Sequence, residues 1–124
     1  MFQRFFSAGQ SRTIQRLFVY GSLAPGKPNE HILTPIVGQW EEGEATLRGF
    51  LKQEGWGADM GFPGIIPDEN GEKVKGMVFS SEHLEQHWDR LDEFEGGAYQ
   101  RKLVQVTFES SGSKMNAFVY SLKR

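Results

Sequence analysis

Turn signals cut this chain into short pieces and leave only one long enough for a helix of several turns. Ala24-Pro25-Gly26-Lys27-Pro28, Glu41-Glu42-Gly43-Glu44, Asp68-Glu69-Asn70-Gly71, Gly96-Gly97 and Ser110-Ser111-Gly112-Ser113 are sites where Gly, Pro or short polar side chains favour a reversal. The pieces between them at 17–20, 45–52, 62–67, 73–80, 99–108 and 114–120 carry β-branched and aromatic residues and read as strands. Gly49 marks a bulge or a close backbone contact in the second of these. Asn70-Gly71 is a strong hairpin signal between the third and fourth, and the serine-rich loop joins the last two as a hairpin. A short helix is expected after Asn29, with Glu30 in its first turn and Pro35 blocking its continuation. The longer one should run from about Glu82 towards Phe94, capped by Ser81 and stopped by Gly96 and Gly97. Together these predict an α+β fold, a small mixed or antiparallel β-barrel with two helices, rather than a βαβ nucleotide fold.

At 124 residues, with 38% hydrophobic content, ten phenylalanines and three tryptophans, the chain has enough apolar surface for one core. Its net charge of −2 gives no general attraction to nucleic acid or to acidic membranes. No cysteine occurs, so disulfides, thiolate catalysis and cysteine-held metals are excluded, and a reducing, cytoplasmic setting is expected. No apolar run approaches the ~20 residues of a membrane-spanning helix. The first sixteen residues contain Arg4, Arg12 and Arg16, no acidic residue, and Phe2, Phe5 and Phe6. They faintly resemble an organelle transit peptide and lack the apolar core of a secretory signal. A tail over 1–15, poorly ordered or packing its phenylalanines locally, is expected before a single domain over 16–124.

Two local features carry chemistry. Leu17-Phe18-Val19-Tyr20-Gly21-Ser22-Leu23 begins as a strand covered on both faces. It then runs into a turn whose free backbone N–H groups can form a concave donor cluster for carboxylates, phosphates or oxyanions. Gly21 lets another group approach the backbone closely. An ordinary strand end is the alternative. The second feature lies on the longer helix, where Leu84, Trp88 and Leu91 share one stripe at i, i+4, i+7 spacing, and Glu95 is the next position on it. Glu82, Glu85, Asp89, Asp92 and Glu93 fall on another side and can be solvated. A carboxyl aimed inward is paired, or its pKa rises and it becomes suited to proton transfer. Two other placements stay open: Glu95 can leave the helix and face water, or pair with Arg101, which would lower its pKa. His83 and His87 are four apart, but no third metal ligand is evident and the order is not His-Glu-x-x-His. Gly55-Trp56-Gly57-Ala58-Asp59-Met60-Gly61 lacks the spacing of a dinucleotide fingerprint and reads as a pocket-lining or surface loop.

The 17–23 stretch, taken with Leu-Asp-Glu-Phe-Glu-Gly-Gly-Ala-Tyr-Gln-Arg at 91–101, resembles the γ-glutamylcyclotransferase-like family, particularly its small members related to γ-glutamylamine cyclotransferase. Phe-Pro-Gly-Ile-Ile-Pro, Val-Lys-Gly-Met-Val-Phe and the final Phe-Val-Tyr extend the likeness over about 16–120. The resemblance implies a small barrel of mixed strands with two helices and a cavity at the end of the first strand. It also implies release of 5-oxoproline from a small γ-glutamyl compound by attack of the α-amine on the γ-carbonyl, without cofactor or metal. By position, Glu95 would be the general acid/base, and Tyr20, Gly21, Ser22 and Leu23 the substrate-holding loop. Tyr99 and Arg101, which share a strand face, and Tyr120 would border the cavity, although a core tyrosine and a surface cation are equally natural at 99 and 101. A residue that some glutathione-pathway members insert between Ser and Leu is absent here, which favours the γ-glutamylamine branch. A cyclotransferase acting on a γ-glutamyl-acylated biosynthetic intermediate, and a non-catalytic binding module on the same scaffold, are the other functions such a chain could have.

Overall fold

A computed structural model describes residues 13–21, 23–54 and 63–123. Among them are seven strands: β1 (Gln15–Val19), β2 (Gln39–Trp40), β3 (Ala45–Lys52), β4 (Gly64–Pro67), β5 (Glu72–Ser81), β6 (Tyr99–Phe108) and β7 (Lys114–Leu122). The expected 1–15 tail falls almost wholly outside the described residues, as do Ser22 and the loop carrying Trp56.

One sheet closes on itself through five of the strands. β1 pairs antiparallel with β5, β5 with β3, β3 with β6 and β6 with β7. A parallel contact between Leu17 and Phe118 joins β7 back to β1. β2 extends the sheet from β5, and β4 bridges β3 and β7, meeting β7 at Ile65 and Ser121. Alternation along the strands sends Phe18, Leu47, Ile65, Val78, Val106 and Val119 into one buried cluster, the filling of the barrel. The opposite side of β1 and β7 forms a second cluster beneath the helical segments, with Leu17, Val19, Tyr120 and Leu122 packed against Leu84, Trp88 and Leu91. β1 is therefore buried on both faces, as its uninterrupted apolar run implies.

Two local expectations change. Asn70-Gly71 does make a turn, in which the Gly71 N–H donates to the Asp68 carbonyl at 2.9 Å. The strands it joins are not a hairpin, because β3 lies between them: Gly49 is in register with Pro67 of β4 and with Glu72 of β5. Turn chemistry fixes a reversal, whereas pairing is decided by whichever strand edge is available. The missing Cβ of Gly49 admits the Ile66 carbonyl, which would otherwise lie 2.6 Å from it, so this glycine marks a close backbone contact.

The first expected helix is one 3-10 turn, Glu30–Ile32, without a side-chain cap from Asn29. The second starts as a 3-10 segment, Leu84–His87, and becomes α only at Trp88–Glu95 (α1). Ser81 does not cap it directly. Its hydroxyl accepts the His83 N–H at 2.9 Å and donates to the Val37 carbonyl, so it ties the entry of the segment to the preceding loop. None of the described helices is long and apolar enough to cross a membrane.

Candidate active site

The apolar stripe keeps its register to the end of α1. Leu84, Trp88, Leu91 and Glu95 are all buried, and Glu95 is the only carboxylate among the buried residues described, with 9% of its surface exposed. Gly96, at φ 87, ends the helix immediately afterwards, and its N–H donates to the Asp92 carbonyl at 3.0 Å. That positive φ suits glycine, and it ends the helix one residue after the buried Glu95. Burial pushes the Glu95 carboxyl up from its ordinary value of 4.5 to about 7, because a charge there loses most of its hydration.

Tyr20 follows directly on β1. Its hydroxyl donates to the Tyr120 carbonyl at 2.8 Å and accepts the Ile65 N–H at 3.0 Å, so it links β7 and β4 where β1 stops pairing. Burial holds the Tyr20 phenol far above its ordinary value against the opposing Ile65 N–H, and the charges of Tyr99 and Glu95 add to the rise. Tyr120 is likewise raised, chiefly by burial and then by its bond to Asp92, with Glu95 again contributing. The field of Glu95 thus reaches both the end of β1 and the end of β7.

Beyond Tyr20 the chain turns, and the Ala24 N–H donates to the Gly21 carbonyl at 3.1 Å. No described atom lies within 4 Å of where a Gly21 Cβ would be, and its φ is not left-handed. Among the described residues, neither packing nor backbone conformation therefore calls for glycine at this position. Leu23 is buried in the cluster under α1, where it anchors the turn. Ser22 lies outside the described residues.

Arg101 does not take Glu95 as its ion-pair partner. Its Nη2 is 3.6 Å from Asp92 Oδ2, and its guanidinium stacks 4.3 Å from the centroid of Trp88 and 5.5 Å from that of Phe118. Tyr99 is buried. With Asp92, Gly96, Arg101, Tyr120 and Lys123 it borders a groove of about 470 Å³, while Tyr20 borders a separate one of about 380 Å³ with Leu51, Pro63 and Val74. Asp92, expected among the solvated acids, is half-buried and accepts the Tyr120 hydroxyl at 2.6 Å. Its partners Arg101 and Tyr120 lie on the β6–β7 hairpin, so nothing near it in the sequence signals this role. His87 Nδ1 lies 3.2 Å from Arg90 Nη2, and among the described residues no three His, Asp or Glu side chains group as metal ligands.

Comparison with known proteins places the chain among relatives. Residues 17–124 match the family model described as gamma-glutamyl cyclotransferase, AIG2-like. The chain is 33% identical over 117 residues to AIG2-like protein B of Arabidopsis thaliana, an alignment covering 92% of this chain and 62% of that protein. The fold matches an AIG2-like protein of Mus musculus at TM-score 0.64 and 26% identity, over 87% of this chain and 76% of the other. An Arabidopsis thaliana protein solved in solution matches at TM-score 0.60 and 30% identity, over 88% and 68%. Bacillus subtilis YkqA shares the fold at TM-score 0.68 and 24% identity, over 90% of this chain but 36% of YkqA. The chain thus spans less than two thirds of AIG2-like protein B and about a third of YkqA.

Proposed function

The chain belongs to the gamma-glutamyl cyclotransferase, AIG2-like family, and from that premise we propose that it releases 5-oxoproline from a γ-glutamyl amine without a cofactor. The observation that carries this reading is the buried Glu95 carboxyl, titrating near 7 at the end of α1 and within electrostatic reach of Tyr20. In the reaction the substrate α-amine, once neutral, attacks the γ-carbonyl carbon. The new C–N bond closes the five-membered ring, and the bond to the leaving amine breaks. One proton leaves the attacking nitrogen and one reaches the departing nitrogen, so a single carboxylate can accept the first and deliver it as the second. A group half-ionised near neutrality suits both steps, a contribution of ~10²–10⁴ in rate.

The turn at 21–23 is the proposed holder of the substrate carboxylate or of the tetrahedral oxyanion. Its place directly after β1, closed by the Ala24 N–H on the Gly21 carbonyl, supports this, and one such backbone donor is worth on the order of 3 kcal/mol in the transition state. Folding the glutamyl chain so that amine and carbonyl meet supplies much of the remaining acceleration. Tyr99, Arg101 and Tyr120 belong to the wall beside α1, with Arg101 and Tyr120 engaged by Asp92.

The test is 5-oxoproline release from a panel of γ-glutamyl amines by the wild-type protein and by Glu95→Gln. The expected result is turnover by the wild type and a loss of ~10²–10⁴ in kcat for the variant. Equal turnover by both would remove Glu95 from the chemistry, and binding without product would make the protein a ligand-binding module.

A further inference from the structure

The proton chemistry leaves Asp92 without a part, yet it is one of the most engaged carboxylates in the described structure. It stands three positions before Glu95 on α1, close to one turn away. Its Oδ1 accepts the Tyr120 hydroxyl at 2.6 Å, and its Oδ2 lies 3.6 Å from Arg101 Nη2. Arg101 and Tyr120 are register partners on β6 and β7, so two directly opposite residues of one hairpin hold the two oxygens of one carboxylate. A short O–H···O⁻ bond of this kind is among the stronger hydrogen bonds proteins make. Arg101 is itself held by stacking on Trp88, which belongs to the same helix. The Tyr120 carbonyl in turn accepts the Tyr20 hydroxyl. Two hydrogen bonds through one residue therefore run from α1 to the end of β1.

We propose that Asp92 is a positioning residue, clamping the last turn of α1 to the β6–β7 hairpin through Tyr120 and so fixing Glu95 relative to Tyr20. This inference rests on the function proposed above. Tyr120 acts in it as the connecting post, since its hydroxyl proton is committed to Asp92. The effect on rate follows from geometry: a misplacement of about 1 Å between reacting groups can cost ~10²-fold.

The experiment compares wild type, Asp92→Asn, Asp92→Ala and Tyr120→Phe on a γ-glutamyl amine that the wild type turns over. Asp92→Asn keeps an oxygen able to accept the Tyr120 hydroxyl, whereas the other two abolish the bond. Asp92→Ala and Tyr120→Phe should lower kcat by ~10–100-fold with KM within ~3-fold, and Asp92→Asn should recover most of that loss. Asp92→Ala with wild-type kcat, or Asp92→Asn as impaired as Asp92→Ala, would overturn the clamp.

A second readout needs no turnover: titration of the Glu95 side-chain carboxyl by carbon-13 NMR. Two titratable groups that its field reaches, Tyr20 and Tyr120, are raised above 10 and stay neutral through the range. The Glu95 midpoint should fall from about 7 towards 4.5 in Asp92→Ala and Tyr120→Phe, as the loosened helix end admits water, and hold in Asp92→Asn. Because both Asp92 variants remove the same charge, a fall common to the two would mark simple electrostatics and overturn the proposal. If the wild type released no 5-oxoproline, the functional reading would fail while this titration still decided the clamp, an unchanged midpoint in Asp92→Ala counting against it.

Discussion

Replacing Glu95 by glutamine should damage catalysis and strengthen the fold, and the second effect should depend on pH in a defined direction. In the native state the Glu95 carboxyl is raised from 4.5 to about 7, so the folded protein binds this proton more tightly than the unfolded chain. As pH rises through that interval the unfolded chain ionises first, and its stability relative to the native state increases. At about pH 4 both states are largely protonated and the residue is nearly neutral in its effect; above pH 7 the full penalty applies. At about 1.4 kcal/mol for each tenfold difference in proton affinity, the interval corresponds to about 3 kcal/mol. Only 9% of the residue is exposed, so solvent relieves little of it. Glutamine has nearly the same shape and no charge, and any fixed offset from its amide is independent of pH. The assay is urea unfolding of wild type and Glu95→Gln at intervals from about pH 4 to about pH 8. The stability difference in favour of the variant should widen by about 3 kcal/mol across the range. A flat difference would mean that Glu95 ionises as readily folded as unfolded, and a difference moving towards the wild type with rising pH would reveal an ion-paired carboxylate. Either result would refute the argument.

Three further outcomes are expected. On a γ-glutamyl amine substrate, kcat/KM should rise with pH with a midpoint set by Glu95 at about 7, since the base must be ionised to accept the amine proton; an acidic limb centred near 4.5 in a pH-rate profile would contradict it. Tyr20→Phe should destabilise by about 2 kcal/mol in urea unfolding, because the Ile65 N–H and the Tyr120 carbonyl both lose their partner. Gly71→Ala should destabilise by about 3 kcal/mol or abolish soluble expression, because its Cβ would clash with the Gly49 carbonyl oxygen, a backbone atom that cannot swing aside; an unfolding curve unchanged from the wild type would show that the two backbone segments separate more easily than their packing implies.

What could be read from the sequence follows the range over which each cause acts. The Leu84, Trp88, Leu91, Glu95 stripe was legible because helical periodicity is local. Whether Glu95 stayed on it or left the helix end for water was not, because that depends on where the helix stops, and the structure keeps it buried. The double burial of β1 was visible in its unbroken apolar run. The insertion of β3 between β4 and β5 was not, because Asn70-Gly71 encodes a reversal and carries no information about which edge the returning strand meets. Asp92 looked solvated for a similar reason: its partners Tyr120 and Arg101 come from the hairpin that folds against α1. The first helix shrank to a single turn because Pro28 and Pro35 leave too few residues between them, and Asn29 makes no side-chain cap to offset that. The family likeness pointed to Glu95 and to the turn after β1, and the structure adds the tyrosine–aspartate link between them.

The parallel contact of Leu17 with Phe118 joins the first strand of the barrel to the last, and this has a consequence for synthesis on the ribosome. Tyr20 bonds to the Tyr120 carbonyl, and α1, which already packs on β1 and bonds to it from Trp88 to Gln15, gains a further anchor through the Tyr120 hydroxyl, so part of the support on both sides is missing until β7 has been made. A nascent chain that had emerged only as far as α1 would carry Tyr20 and Asp92 without the Tyr120 to which both bond. Closure of the barrel and the two bonds of Tyr120 therefore form together, when the last strand docks.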